Sequence, residues 1–246
     1  EYLVTGLKHV GYSMVNRIEN SNIVIINTCG FLDIAREESI DKIIEIENKK
    51  EKGLIEKVIV MGCLSERYGD ELAKEIPGVD KFFGSEEHED VIKYISGKPF
   101  SLDDPDIIRA SLTPSHYSYL KIAEGCDNAC SFCSIPLMRG LQKSQPLRWN
   151  VEEAKRLASR GVKELLVIAQ DSTSYGWDAS PKTSLHELLL ELNKIDQIEW
   201  LRLHYAHPSN LHRKMIKSFG HLDKLIPYID MPIQHGADKM LKIMKR

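Results

Sequence analysis

Residues 57–76, KVIVMGCLSERYGDELAKEI, pass from a short apolar run into a stretch that reads as a helix from about Glu66 to Ile76. The run Lys57–Gly62 (KVIVMG) is too short for a helix and is closed by glycine, so it reads as a buried strand. The same alternation extends in both directions. Upstream, Asn22–Asn27 (NIVIIN) reads as a strand and Ile34–Asn48 as a helix, with Ile40, Ile43, Ile44 and Ile46 near helical spacing. Downstream, Val79–Phe83 reads as a third strand and Glu89–Ile95 as a helix. Strands separated by helices imply parallel pairing, because a parallel pair needs a crossover connection.

Between Ser96 and Ser115 the pattern gives way to Gly97, Pro99, Asp103, Asp104, Pro105, Asp106 and Pro114, a density of turn formers that predicts a linker. The expected organisation is a first domain over 1–98, a linker over 99–115 and a second domain over 116–246. In the second domain the expected strands are Tyr117–Ala123, Glu164–Ala169, Trp200–Ala206 and Tyr228–Pro232. The expected helices are Val151–Arg160, Leu185–Lys194, Leu211–Ser218 and one from Ala237 onward, with Asn150 as an N-cap and Gly161 just past a helix end. Four β-α units in succession form part of a (β/α) barrel and leave an open sheet edge, so the chain is expected to be a fragment at both ends.

The chain has 246 residues, 42% of them hydrophobic and 28% charged, with a net charge of −3. These values exclude a disordered, collagenous or disulfide-stapled secreted chain, and no basic field points to nucleic acid. The longest apolar runs, Ile23–Ile26 and Val58–Met61, fall far short of the roughly 18 residues of a membrane span. The chain begins at Glu1 without an initiator Met or a signal-peptide pattern, and its cysteine count is odd, at 5.

Cys126, Cys130 and Cys133 form C-x3-C-x2-C in the loop after the first strand of the second domain. Thiolates this close in sequence can converge on one soft metal centre, either zinc or an iron–sulfur cluster. A disulfide would leave one cysteine over. Structural zinc normally takes four ligands, and His116 is the nearest further donor. Three ligands to a four-iron cluster leave one iron open to chelate a substrate.

The stretch Tyr119–Gly140 (YLKIAEGCDNACSFCSIPLMRG) resembles the cluster loop of radical S-adenosylmethionine (SAM) enzymes, with the aromatic Phe132 before the last cysteine. The flanking sequence resembles the methylthiotransferase branch. Asn27–Phe31 (NTCGF) and Met61–Leu64 (MGCL) look like cysteine motifs of its amino-terminal domain, and the likeness continues through Ile168–Gly176 (IAQDSTSYG) and Pro232–Arg246 (PIQHGADKMLKIMKR). Gly30-Phe31 and Gln170-Asp171 point within that branch to the enzymes that modify a small-subunit ribosomal protein.

The resemblance implies an α/β chain: an open parallel-sheet, flavodoxin-like domain followed by a partial radical-SAM (β/α) barrel. It implies two 4Fe-4S clusters and SAM. Cys126, Cys130 and Cys133 would hold the SAM-binding cluster. Cys29 and Cys63 would belong to an auxiliary cluster whose third cysteine is expected upstream of Glu1. The implied reaction is addition of a methylthio group to the β-carbon of an aspartate through a 5′-deoxyadenosyl radical, with the auxiliary cluster handling sulfur. The implied partners are the ribosomal protein, a reduced flavodoxin- or ferredoxin-type electron donor, and the ribosome or RNA through a missing carboxyl-terminal domain. The location implied is cytoplasmic, with no membrane contact.

The expected SAM contacts are Phe132, Gln170, Asp171, Arg202 and Gln234. Gln170 and Asp171 end a strand, where barrel enzymes place functional groups, although capping would equally explain them. Arg202 and His204 share one strand face, pointing either into the barrel or to solvent. Arg139 resembles a family position near the cluster, whereas Ser144-Gln145-Pro146 departs from the family's usual Ser-Arg-Pro. His235 reads as a scaffold histidine, and Lys239, Lys242, Lys245 and Arg246 as a solvated basic face. Two other activities compete: a tRNA-directed methylthiotransferase and a non-catalytic zinc or iron–sulfur module.

Overall fold

The computed structural model describes residues 1–101, 107 and 109–246. The chain divides into two units, Glu1–Ala110 and Ser111–Arg246. The division falls inside the stretch expected to be a linker, of which Asp103, Asp104, Pro105 and Asp106 lie outside the described residues.

In the first unit the elements run α1 (Tyr2–His9), β1 (Ile23–Thr28), α2 (Asp33–Glu51), β2 (Lys57–Gly62), α3 (Cys63–Glu75), β3 (Lys81–Phe83) and α4 (His88–Ser96). The three strands pair in the order β1-β2-β3, all parallel. The central strand β2 is buried on both faces: Val58 and Val60 pack on Ile43 and Ile46 of α2, while Ile59 and Met61 pack on Val91 and Ile92 of α4. An unbroken apolar run is what a strand covered by helices on both sides requires. Helix α3 starts at Cys63, directly at the strand end rather than near Glu66, because Gly62 turns the chain sharply with φ 111°.

The second unit runs β4 (Tyr117–Lys121), β5 (Ala123–Glu124), α5 (Ile135–Arg139), β6 (Lys143–Ser144), α6 (Leu147–Ser159), β7 (Glu164–Ile168), α7 (Leu185–Asn193), β8 (Trp200–Leu203), α8 (Arg213–His221), β9 (Leu225–Ile229) and α9 (Asp238–Ile243). Its main sheet has the order β4-β7-β8-β9, again parallel throughout. One face, carrying Leu120, Leu165, Val167, Leu201 and Leu203, packs on a leucine-rich layer that includes Leu157 of α6 and Leu188, Leu189 and Leu192 of α7. Each such side chain contributes about 1.5–3 kcal/mol on burial. In the period-two pattern of a strand the opposite face carries Tyr119, Leu166 and Arg202 in register, and it is partly open, with Tyr119 42% exposed.

Three expectations are corrected here. Asn150 is not an N-cap: α6 begins at Leu147 after Pro146, and Asn150 is fully buried within it, its Nδ2 donating to Tyr175 Oη at 3.0 Å and to Gln145 O at 3.3 Å. Proline's fixed φ starts the helix a turn earlier than the side-chain pattern suggested. The last strand is Leu225–Ile229 rather than Tyr228–Pro232, since buried Leu225, beside Leu201, anchors it. The strand from Trp200 stops at Leu203, and Tyr205 turns it with φ 58°. Gly161 does follow the end of α6, with φ 94°.

A Cβ added at Gly62 would lie 2.5 Å from Thr28 O and 2.8 Å from Thr28 N. Gly62→Ala is therefore expected to cost about 1–3 kcal/mol from the backbone conformation alone. A lowered urea midpoint of the first unit's transition checks this.

Candidate functional site

The four strands of the second unit's main sheet point the same way, so the chain leaves each at one edge of that sheet. The three-cysteine loop hangs from that edge. Its ends are stapled by the antiparallel pairs Ala123–Ser144 and Glu124–Lys143, and Cys126 N donates to Gly140 O at 3.2 Å. Gly125 makes the entry possible: its φ is 76°, and a Cβ there would lie 2.2 Å from Leu141 O. Only glycine takes that conformation without strain.

Cys126 and Cys130 are buried and Cys133 is half-buried. Burial pushes the Cys126 thiol up; hydrogen bonds from Asn128 oppose this, while the charges of Asp171 and Cys133 reinforce it. The Asn128 Nδ2 group lies 3.4 Å from Cys126 Sγ. Arg246 Nη1 lies 3.7 Å from Cys130 Sγ, and Ser131 N donates to Met244 O at 3.0 Å, so the segment after α9 backs the loop. Arg246 is thus turned to the loop and is not part of a solvated basic face, whereas Lys239 and Lys242 are exposed.

Among the described residues, no three His, Cys, Asp or Glu side chains are close enough to form a metal-binding group. The donor set nevertheless fits a soft cluster. It comprises three thiols on one closed loop, with N–H donors and a guanidinium facing two of the sulfurs to offset thiolate charge. In the first unit, Cys29 and Cys63 follow the paired residues Thr28 and Gly62 at the carboxyl ends of adjacent strands. Cys29 is exposed and Cys63 half-buried. Two thiols supply only part of a cluster's ligands.

The strand ends beside the loop are densely polar. Asp171 is 2% exposed. Its carboxylate accepts from Asn128 Nδ2 (2.8 Å), Ser174 Oγ (2.6 Å), Asn210 Nδ2 (2.9 Å), Thr173 N (3.0 Å) and Thr173 Oγ1 (2.5 Å). Burial alone would raise its pKa, and these donors hold it below the ordinary value. Glu124, also buried, accepts from Lys121 Nζ at 2.5 Å and from Gln170 Nε2, with Arg139 Nη1 at 3.3 Å. Burial pushes Glu124 up as well, but Lys121 and Arg139 win and hold it below 4.5. A cleft of about 750 Å³ opens next to Asp127 and Asn128, lined also by Ser174, Trp177, Asn210 and Arg213.

The expected SAM contacts are distributed unevenly. Gln170 and Asp171 stand at the loop, both engaged as described, with Gln170 Oε1 buried and lacking a partner among the described residues. Phe132 is on the loop and 48% exposed. Arg202 lies on the face opposite the helices, donates from Nε to Glu164 Oε1 at 2.6 Å and stacks over Tyr228 at 5.3 Å. His204 Nδ1 is 3.4 Å from Asp230. Gln234 is exposed, with φ 68°, in the segment after β9. Sequence reasoning missed Glu124, Lys121, Asn128 and Asn210. Glu124 and Asn128 carried one available signal, as polar residues immediately before Gly125-Cys126 and two positions after Cys126.

A parallel β-α sheet with three thiols on the loop after its first strand defines a class. Residues 120–246 match the model of the radical SAM superfamily, and the chain belongs to that superfamily. Residues 1–84 match a model described as uncharacterized protein family UPF0004. The chain is 43% identical to the ribosomal protein uS12 methylthiotransferase RimO of Anaeromyxobacter sp. (strain K), covering 100% of this chain and 54% of the relative. Against the protein of the same name from Flavobacterium psychrophilum the identity is 49%, covering 100% and 56%. The chain thus spans about half the length of the curated relatives it matches. Among solved structures it resembles the radical SAM methyltransferase TsrM from Kitasatospora setae with cobalamin and a 4Fe-4S cluster bound, at TM-score 0.64 and 12% identity over 98% of this chain and 56% of that one. The cobalamin-dependent radical enzyme OxsB gives a TM-score of 0.60 at 12% identity, over 91% and 37%. At such identities the likeness is one of fold. No helix among the described residues is long and apolar enough to cross a membrane.

The depressed pKa of Glu124 makes stability pH-dependent. The contribution is fully present above the ordinary value of 4.5 and is lost as pH falls through the lower folded value. The urea midpoint of the second unit is expected to fall on acidification below pH 4.5. Glu124→Gln should lower the midpoint at neutral pH and flatten that fall, with the remainder carried by Asp171.

Proposed function

We propose that the chain is part of a radical-SAM methylthiotransferase that adds a methylthio group to the β-carbon of an aspartate in ribosomal protein uS12. The observation that carries this reading is the closed loop of Cys126, Cys130 and Cys133 at the carboxyl edge of the sheet, within a chain alike along its whole length to methylthiotransferases. The three thiolates would hold a 4Fe-4S cluster, and Cys29 with Cys63 would supply ligands to a second. When bound, the cluster and SAM supply one-electron reductive chemistry able to activate an unactivated C–H bond.

The chain's own residues bind, orient and shield. Gln170, with its unpartnered Oε1, and Phe132, on the loop, are the nearest expected contacts for SAM. Arg202 is held by Glu164 and Tyr228 on the open sheet face, where a substrate side chain could be oriented. Gln234 would act from the segment after β9. The Lys121–Glu124–Arg139 group keeps its charges paired beside the loop. We assign residues 1–98 to the auxiliary-cluster domain, 99–115 to a linker and 116–246 to the barrel. A one-electron donor of flavodoxin or ferredoxin type and a cytoplasmic setting complete the reading, and contact with the ribosome would involve parts of the protein outside this chain.

The test uses the full-length enzyme, reconstituted anaerobically. About eight iron and eight sulfide per chain are expected for two clusters, together with methylthio transfer to uS12 and none to tRNA. Replacing Cys126, Cys130 or Cys133 with Ala should remove about half of the iron and abolish 5′-deoxyadenosine formation. Zinc without iron, or undiminished 5′-deoxyadenosine in those variants, would defeat the assignment.

A further inference from the structure

Asn128 bridges two groups with one amide nitrogen: Nδ2 lies 2.8 Å from Asp171 Oδ2 and 3.4 Å from Cys126 Sγ. An ionised carboxylate accepts hydrogen bonds and donates none. Opposite Asp171, the Asn128 side chain can therefore present only its NH2 end, because the flipped amide would set oxygen against oxygen. The same orientation turns an N–H toward the sulfur. Asp171 is itself immobilised from elsewhere, by Thr173 and Ser174 after β7 and by Asn210 after β8. Asn210 Nδ2 also donates to Ser174 Oγ at 2.8 Å, and His207 N to Thr173 Oγ1 at 3.1 Å. The carboxylate thus ties the first turn of the cysteine loop to the ends of two strands.

We propose that Asp171 is a positioning residue that fixes the Asn128 amide with its N–H toward Cys126, clamping the loop and supplying a donor to that sulfur. The first part concerns the polypeptide alone. The second rests on the reading that Cys126 carries a cluster, because a hydrogen bond to a cluster sulfur withdraws charge and raises the reduction potential. Asp171 acts through Asn128 and need not touch SAM.

The decisive variants are Asp171→Asn, Asn128→Asp and the two combined. Either single change sets like against like. Whichever way the Asp171→Asn amide turns, its NH2 faces Thr173 N or the amides of Asn128 and Asn210. Asn128→Asp puts two carboxylates in contact. The combined change restores a donor–acceptor pair between positions 128 and 171 with its polarity reversed, sets an oxygen toward the sulfur, and leaves Asn210 Nδ2 facing an NH2 group.

In the metal-free full chain, iodoacetamide labelling of Cys126 relative to Cys133, compared on the high-pH plateau where both thiols are ionised, is expected to rise about tenfold in each single variant, the scale of one lost buried hydrogen bond to a charged group. It should fall back toward wild type in the combined variant, to about threefold, because the contact with Asn210 stays unsatisfied. In the reconstituted chain, the midpoint potential of the cluster, followed by electron paramagnetic resonance, is expected to fall in Asn128→Asp and to stay low in the combined variant. Unchanged labelling in the single variants would overturn the clamp. A combined variant that recovers both labelling and potential would overturn the donor role and leave Asp171 as a structural cap. A wild-type chain that takes up no iron would count against the cluster reading instead, and the labelling would still decide the clamp.

Discussion

A parallel strand pair cannot be closed by a tight turn, so each chain segment must cross over through a helix before returning in the same direction. Every strand then ends on the same edge, and whatever follows those ends is gathered there irrespective of its distance in sequence. Both units obey this constraint. In the first it sets Cys29 and Cys63 at the ends of paired strands. In the second it gathers the cysteine loop, Gln170-Asp171 and the segment around Asn210, which come from three separate β-α connections.

Gathering polar groups at an edge of low solvent access carries an energetic cost. An unpaired buried charge costs several kcal/mol. Asp171 and Glu124 avoid this in different ways. Asp171 is stabilised by hydroxyl and amide groups, with no cation among its hydrogen-bond donors in the described residues. Glu124 is stabilised by two cations, Lys121 and Arg139. Both carboxyls are held below their ordinary pKa, so both remain charged at neutral pH, for one through dipoles and for the other through ion pairs. The first arrangement is directional and orients its neighbours, whereas the second chiefly balances charge.

The apolar runs were legible because a strand buried between helices must be apolar at every position; β2 was read to the residue. Boundaries governed by backbone conformation were not. Pro146 moved the start of α6 upstream, and Tyr205 ended β8 early. A buried asparagine and a capping asparagine look the same in sequence, and for Asn150 the Tyr175 hydroxyl 25 positions away distinguishes them. Arg246, read as one of several solvated basic residues, is drawn instead to Cys130 and to Pro232 O.

By itself the sequence determined the α/β alternation, the strand that precedes the cysteine loop, and the soft donor set itself, since these depend on residue type and short spacing. Tertiary structure alone decided what each polar residue at the edge does. Asp171 and Gln170 are neighbours in the chain, yet among the described residues one accepts five hydrogen bonds and the other keeps a buried oxygen without a partner. Their partners Asn128, Asn210 and Glu124 lie 39 to 46 positions away. The physical reason is that hydrogen bonds are directional and short-ranged, so a polar side chain's role depends on which atoms the fold brings within about 3 Å of it.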